Sequence, residues 1–464
     1  MEQSRDQSTV VTELRRGFAT GRSHEQQWRF TQLEGLRRLL TRHETELTDA
    51  ICQDVGKPAH EVRLFELQPL INEIDHTLAN LGVWLMPRRV GVPLNTQPAT
   101  AEVHPQPKGV VLVLSPWNYP LQLLLSPTIG ALAAGNAVLL KPSEVAPHTA
   151  HLMARLIPQY LDPELVRVVT GGVEETTRLL TERFDHIIYT GSTAVGKIVM
   201  RAAAEHLTPV TLELGAKSPV FVDASVDPAA AARRIVWAKF TNAGQTCVSP
   251  DHVLVTPDAK DRLLTELARA IRTFFGEEPR QSPDFGRIVN DKHFERLSGL
   301  LDSGRAVVGG QQDAAGRYLA PTVLVDVDPD SPVMAEEIFG PILPVLEVAD
   351  ASAAIEFITA RPHPLALYVF SDDSATREAF RERTLSGGLV FNAALIHLSI
   401  PDLPFGGVGD SGMGHYHGRF SVDTFSHLRA VFGKPLQPDT LEVVYPPVND
   451  LRRRLMKLVR LTPR

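Results

Sequence analysis

The sequence is poor in cysteine. Only Cys52 and Cys247 occur in 464 residues. That excludes a disulfide framework and a cysteine-built zinc site, and it suits a reducing compartment. Long apolar runs are missing too. The longest candidate, residues 121–140, is broken by Pro127, Gly130, Gly135 and Asn136, whereas a span needs ~20 predominantly apolar residues. The amino terminus, MEQSRD, is polar and has no secretion-signal pattern, so the expected location is cytoplasmic. Nor is there an excess of positive charge. A net charge of −7 argues against nucleic acid as a general partner. His415 and His417 stand close together, but no Cys or acidic residue completes a ligand spacing, and no metal is expected.

What is present is ordinary globular material, 43% hydrophobic and 22% charged, enough to bury a sizeable core. The length suggests roughly two to four domains. Trp28, Leu33, Leu36, Leu40, Leu47 and Ile51 recur at helical spacing, and a second helical stretch covers residues 62–84. Residues 86–107 carry Pro87, Pro93, Pro98, Pro105 and Pro107 and read as an extended excursion. From Gly109 onward, short apolar runs at 110–114, 137–140, 166–169, 186–189 and 210–214 alternate with segments of helical length. This pattern predicts an α/β fold with a doubly wound, Rossmann-like parallel sheet. A second alternating series at 219–222, 252–255, 306–308, 342–347, 367–370 and 388–391 predicts a second α/β domain. Residues 441–445 read as one further strand, followed by a basic tail.

Several motifs carry chemistry. NAGQTC ends at Cys247. Its glycine lets backbone approach a ligand, and a polar setting distinguishes a reactive thiol from an inert one. TLELGAKSP places Glu213 at a strand end, where apolar neighbours raise a carboxyl pKa and suit it to general-base work. SPWNYP puts Asn118, a neutral donor, after another strand, where it can meet an oxyanion. YTGSTAVG offers a turn at Gly191 and a helix cap at Ser192 or Thr193, suited to a pyrophosphate. KPSE brings Lys141, Ser143 and Glu144 to a strand end, suited to ribose hydroxyls. EEIFGP and a glycine-rich loop, residues 404–414, complete the set. Taken singly, each also has a plainer reading: an inert thiol, a solvated strand-end acid, an Asn–Pro turn, a capped helix.

Together and in this order, these motifs resemble the aldehyde dehydrogenase superfamily over essentially the whole chain, from DVGKP at Asp54 to YPP at Tyr445. CVSPD after Cys247, GHYHG from Gly414 and TFSH from Thr424 resemble its class 3, or fatty and aromatic aldehyde, branch. The resemblance implies Cys247 as nucleophile and Glu213 as general base. It implies an oxyanion hole from Asn118 and the Cys247 N–H. Lys141, Ser143 and Glu144 fall at the adenosine ribose, and Gly191 and Ser192 at the pyrophosphate. Glu337 and Phe339 fall at the nicotinamide ribose and ring. The cofactor is then NAD or NADP, the substrate an aldehyde, medium- to long-chain aliphatic or aromatic, and the assembly a homodimer. The implied cofactor domain is residues 1–85 with 108–212, and the catalytic domain 213–424. An oligomerisation element takes 86–107 with 425–450, and 451–464 is a basic tail with possible weak peripheral membrane contact. Ala216 stands where the family carries a second glycine, which crowds the cofactor path if that position needs a positive φ. A CoA-acylating dehydrogenase and a cofactor-independent thiol esterase are the alternatives. Glu213 argues for water as acceptor, and no histidine accompanies the thiol in its motif.

Overall fold

Continuous apolar runs become buried parallel strands, because helices cover both faces of the sheet they form. The computed structural model describes residues 7–459. Helices Gln7–Ala19, Gln26–Arg42, Glu44–Val55 and Gln68–Trp84 open the chain. Their apolar positions are the ones at helical spacing: Leu33, Leu36, Leu40, Leu47 and Ile51 are fully buried.

Among the described residues eighteen strands follow in chain order. They are β1 Arg88–Arg89, β2 Thr100–Pro107, β3 Val110–Leu114, β4 Ala137–Lys141, β5 Val166–Val168 and β6 His186–Gly191. Next come β7 Val210–Leu214, β8 Pro219–Val222, β9 His252–Val255, β10 Arg305–Val308, β11 Gln312–Asp313 and β12 Tyr318–Leu319. The last are β13 Thr322–Val325, β14 Ile342–Glu347, β15 Ala366–Phe370, β16 Gly388–Phe391, β17 Gly412–Met413 and β18 Ser426–Gly433. A six-stranded sheet runs β17-β7-β6-β3-β4-β5 and a seven-stranded one β10-β13-β14-β9-β8-β15-β16. All their pairings are parallel except β17 with β7 and β10 with β13. A third sheet, β1-β2-β18, is antiparallel, with β18 paired to β2 from Ser426↔Pro107 to Gly433↔Thr100. Among the described residues no helix is long and apolar enough to cross a membrane.

One expectation is corrected. Residues 441–445 are not a strand: Leu441–Val444 belong to a 3-10 turn, Thr440–Val444, and Tyr445 follows it. Asp439 caps it by accepting the Leu441 N–H at 3.1 Å, and Pro438 and Pro446 bracket a stretch too short for a ladder. The strand that joins the Pro-rich excursion is β18. Residues 213–424 contribute strands to both large sheets. After β16 the chain returns to the first sheet, where Gly412 pairs with Glu213 and Met413 with Leu212. A Cβ on Gly412 would collide with the Leu212 carbonyl, so this approach requires glycine. The basic tail begins as helix Asp450–Val459. Arg452 donates to the carbonyls of Tyr445 at 2.8 Å and Pro447 at 3.0 Å, docking its first turn on the same chain. Residues 460–464, the rest of that tail, lie outside the described residues.

Candidate active site

The carboxyl end of the first sheet faces the second sheet across a cavity of about 670 Å³. Seven of the expected residues line it: Asn118, Gly191, Ser192, Glu213, Cys247, Glu337 and Phe339. Lys141, Ser143 and Glu144 do not. They sit two strands from β6 on the same edge, at the end of β4 and just beyond it. There the buried Lys141 donates to the Pro142 carbonyl at 2.9 Å and lies 3.6 Å from the exposed Glu144 carboxylate.

The thiol is placed by a strained turn. Helix Pro228–Phe240 ends in residues 241–244, where Asn242 (φ 54°) and Ala243 (φ 51°) are both left-handed. Such backbone is costly for non-glycine residues and persists where its surroundings over-determine it. Here the Asn242 N–H donates to Glu61 at 2.8 Å, and its side-chain amide donates to the Asn118 and Gln245 carbonyls, each at 3.0 Å. Gln245 ties the turn to the Arg287 carbonyl and the Val289 N–H, both at 3.0 Å. Gly244 touches the EEIFGP loop so closely that a Cβ would collide with the Gly340 carbonyl. Cys247 follows, half-buried at the cavity wall. Burial, then the nearby Glu337 and Glu213 charges, push its thiol up to about 12. A free cysteine near ~8.5 keeps some thiolate at neutral pH; burial shifts Cys247 toward the neutral thiol.

Glu213, on β7, is buried, and neither carboxyl oxygen has a hydrogen-bond partner. Burial holds its pKa well above the usual carboxylate range, the direction expected from its apolar neighbours. Asn118 is buried, and its side-chain amide donates to the Gln245 carbonyl at 3.0 Å. That occupies one of its two N–H groups. Ser192 caps helix Thr193–Glu205 by accepting the Val195 N–H at 3.4 Å. Ala216 lines the cavity without a positive φ, so its methyl group brings no backbone strain.

Sequence reasoning missed the residues that hold the EEIFGP loop. Lys217 donates to the Val333 and Glu336 carbonyls, each at 2.8 Å, and pairs with buried Asp251 at 2.5 Å. Asp251 accepts the Ile338 N–H at 2.9 Å, and Arg296 donates to the Ile338 carbonyl at 2.7 Å. This frame holds Phe339 at φ 49°, edge-on to Trp117 at 5.5 Å between ring centres. Lys217 and Asp251 lie inside the motifs already singled out, so their signal was a charge embedded in an apolar motif. Arg296, on helix Asp291–Leu300, carried none.

The residues present fit a dinucleotide. The cavity runs from the amino end of helix Thr193–Glu205 past Glu213 to Cys247. The unpartnered Glu213 carboxyl leaves a polar demand inside it that the protein does not meet. A Cβ at Gly215 would collide with the Glu337 carboxylate. The sequence profile of the aldehyde dehydrogenase family matches residues 2–431. The chain belongs to the aldehyde dehydrogenase family. Its activity is that of the family, NAD(P)-dependent oxidation of an aldehyde. A rat relative described as "Aldehyde dehydrogenase, dimeric NADP-preferring" is 49% identical over 441 residues, covering 95% of this chain and 97% of that protein. Human aldehyde dehydrogenase family 3 member B1 is 49% identical, covering 96% of each chain. A Staphylococcus aureus AldH structure in a substrate-bound state superposes with a TM-score of 0.95 at 41% identity, over 98% of this chain and 99% of that one. A Mycobacterium tuberculosis aldehyde dehydrogenase crystallised with NAD+ gives 0.84 at 26% identity, over 92% and 89%.

Proposed function

We propose that this aldehyde dehydrogenase converts its substrate to the free acid through a thioester on Cys247. One observation carries the reading: Cys247, Asn118 and an unpartnered Glu213 carboxyl line the same cavity. Cys247 Sγ adds to the aldehyde carbon, and its proton leaves to a carboxylate; Glu213 and Glu337 both face the cavity. The free N–H of Asn118 and the Cys247 backbone N–H receive the developing oxyanion. When bound, the nicotinamide ring supplies the acceptor for the hydride that this adduct loses. Glu213 then takes a proton from the water that attacks the thioester carbon. The C–S bond breaks, and acid and thiol are released. A carboxylate whose burial raises its pKa is a stronger base than a solvated one, and that suits this step.

Gly191 and Ser192 would hold the pyrophosphate, and Lys141, Ser143 and Glu144 the adenosine ribose. Glu337 would hold the nicotinamide ribose and Phe339 the ring. Aromatic walls from Trp117, Phe339 and Phe405 support an apolar, long-chain or aromatic aldehyde. The homodimer is proposed on the sheet β1-β2-β18, whose edge strand β18 exposes Leu428 and Phe432. The proposal also includes a cytoplasmic location and weak contact of the basic tail with anionic membranes. Liposome sedimentation of a form ending at Asn449 tests the latter: equal co-sedimentation removes the tail from the reading.

Cys247→Ala tests the core of the proposal. NAD(P)H formation should vanish while cofactor binding, read by tryptophan fluorescence, persists. Turnover above background in that variant would remove Cys247 as nucleophile.

A further inference from the structure

Outside the cavity lies a buried ion pair that the mechanism does not use. Lys57 and Glu66 both have fully buried side chains and meet at 2.6 Å. Lys57 follows helix Glu44–Val55, and Glu66 sits in a π-helical turn, Arg63–Leu67, a local widening that often marks functional positions. Neither has a reason of its own to be charged there, because a buried ion pair commonly contributes less stability than apolar residues of the same size. What the pair does hold is one loop. Lys57 Nζ donates to the Asn118 backbone carbonyl at 3.0 Å and lies 3.7 Å over the Tyr119 ring. The other oxygen of Glu66 accepts the N–H of Leu121 at 2.9 Å and of Gln122 at 3.3 Å. The pair therefore grips the loop on both sides of Tyr119. Asn242 clamps the same Asn118 carbonyl at 3.0 Å, and Tyr119 meets Thr246, next to the thiol, at 2.7 Å.

We propose that Lys57 is a positioning residue for aldehyde oxidation: with Glu66 it sets the peptide of Asn118, so that the free side-chain N–H stays aimed at the carbonyl bound over Cys247. The proposal rests on the assignment of Asn118 to the oxyanion. A misplacement of about 1 Å is enough to cost roughly 10²-fold in rate, and without Lys57 one of the two donors to this carbonyl is gone.

The test is the neutral double variant Lys57→Met with Glu66→Gln, which leaves no unpaired buried charge. It is made alone and combined with Asn118→Ala. Pre-steady-state NADPH formation with a saturating aromatic aldehyde should fall by about tenfold or more, while KM for NADP stays within about threefold. In the Asn118→Ala background the same pair of changes should cost less than about threefold further, because residues acting through one group are not additive. A double variant with normal melting temperature and a rate within about threefold of the parent overturns the proposal. So does a full, additive loss on top of Asn118→Ala. A silent Asn118→Ala variant overturns the oxyanion assignment itself, and is distinguished because it fails before the pair is touched. If the double variant does not fold, Lys57→Gln, which keeps a neutral donor, gives the same decision: a smaller drop in the same rate with KM for NADP held supports positioning, and no drop refutes it.

Discussion

The thiol of Cys247 should be slow to react in the cofactor-free enzyme, and the size of the effect follows from its surroundings. Its pKa is pushed up to about 12, first by burial and then by the charges of Glu337 and Glu213. Against a free thiol near ~8.5, that reduces the thiolate fraction near neutral pH by about three and a half orders of magnitude. A more basic thiolate is intrinsically more nucleophilic, with a Brønsted slope of ~0.4–0.5, which returns roughly one and a half of those orders. The net expectation is thiol–disulfide exchange about a hundredfold slower than free cysteine at neutral pH. The direction with pH is upward. A raised thiol pKa leaves the neutral form dominant, so the rate should climb about tenfold per pH unit from roughly pH 7 to 10 without levelling. The assay uses a small disulfide reagent on Cys52→Ala protein, with modification of Cys247 followed by intact mass. Exchange as fast as free cysteine, with a plateau below about pH 9, would mean a preformed thiolate. The argument from burial would then be wrong.

Three further outcomes are expected. Asn118→Ala should lower turnover by about 10²–10³, the usual loss for one oxyanion donor, and less than tenfold with chemistry rate-limiting counts against the role. Glu144→Gln should raise the use of NADP relative to NAD, because a carboxylate at the ribose repels a 2′-phosphate, and an unchanged ratio means Glu144 faces elsewhere. Light scattering should find a dimer at micromolar concentration, and Leu428→Glu with Phe432→Glu should shift it to monomer; a monomeric parent removes the interface.

Most of both large sheets was legible because parallel strands buried on two faces are continuous apolar runs, and a run such as residues 110–114 leaves little choice; one exception is β13, Thr322–Val325, a buried apolar run that was not read as a strand. The edges were harder to read. β18 has polar residues interleaved along an exposed sheet, and Leu441–Tyr445, richer in β-branched and aromatic residues, drew the strand assignment instead. β17 is two residues long and exists only because Gly412 lets backbone pack against Leu212. In the site, Cys247, Glu213 and Asn118 were legible because each is an unusual group in a local motif. Lys57 was not, since its contact with Asn118 spans 61 positions. The raised thiol pKa was not legible either. Burial is a property of the assembled cavity, and no spacing along the chain encodes it.

The central claim, hydrolysis through a thioester on Cys247 with Glu213 as base, is tested most directly by quenching Glu213→Gln enzyme during reaction with an aldehyde and NADP. Weakening the base should strand the intermediate. The predicted result is a burst of about one NADPH per active site, with an acyl group on the peptide containing Cys247 that hydroxylamine removes. NADPH formation at the parental steady rate with no acyl group on Cys247 would contradict the account.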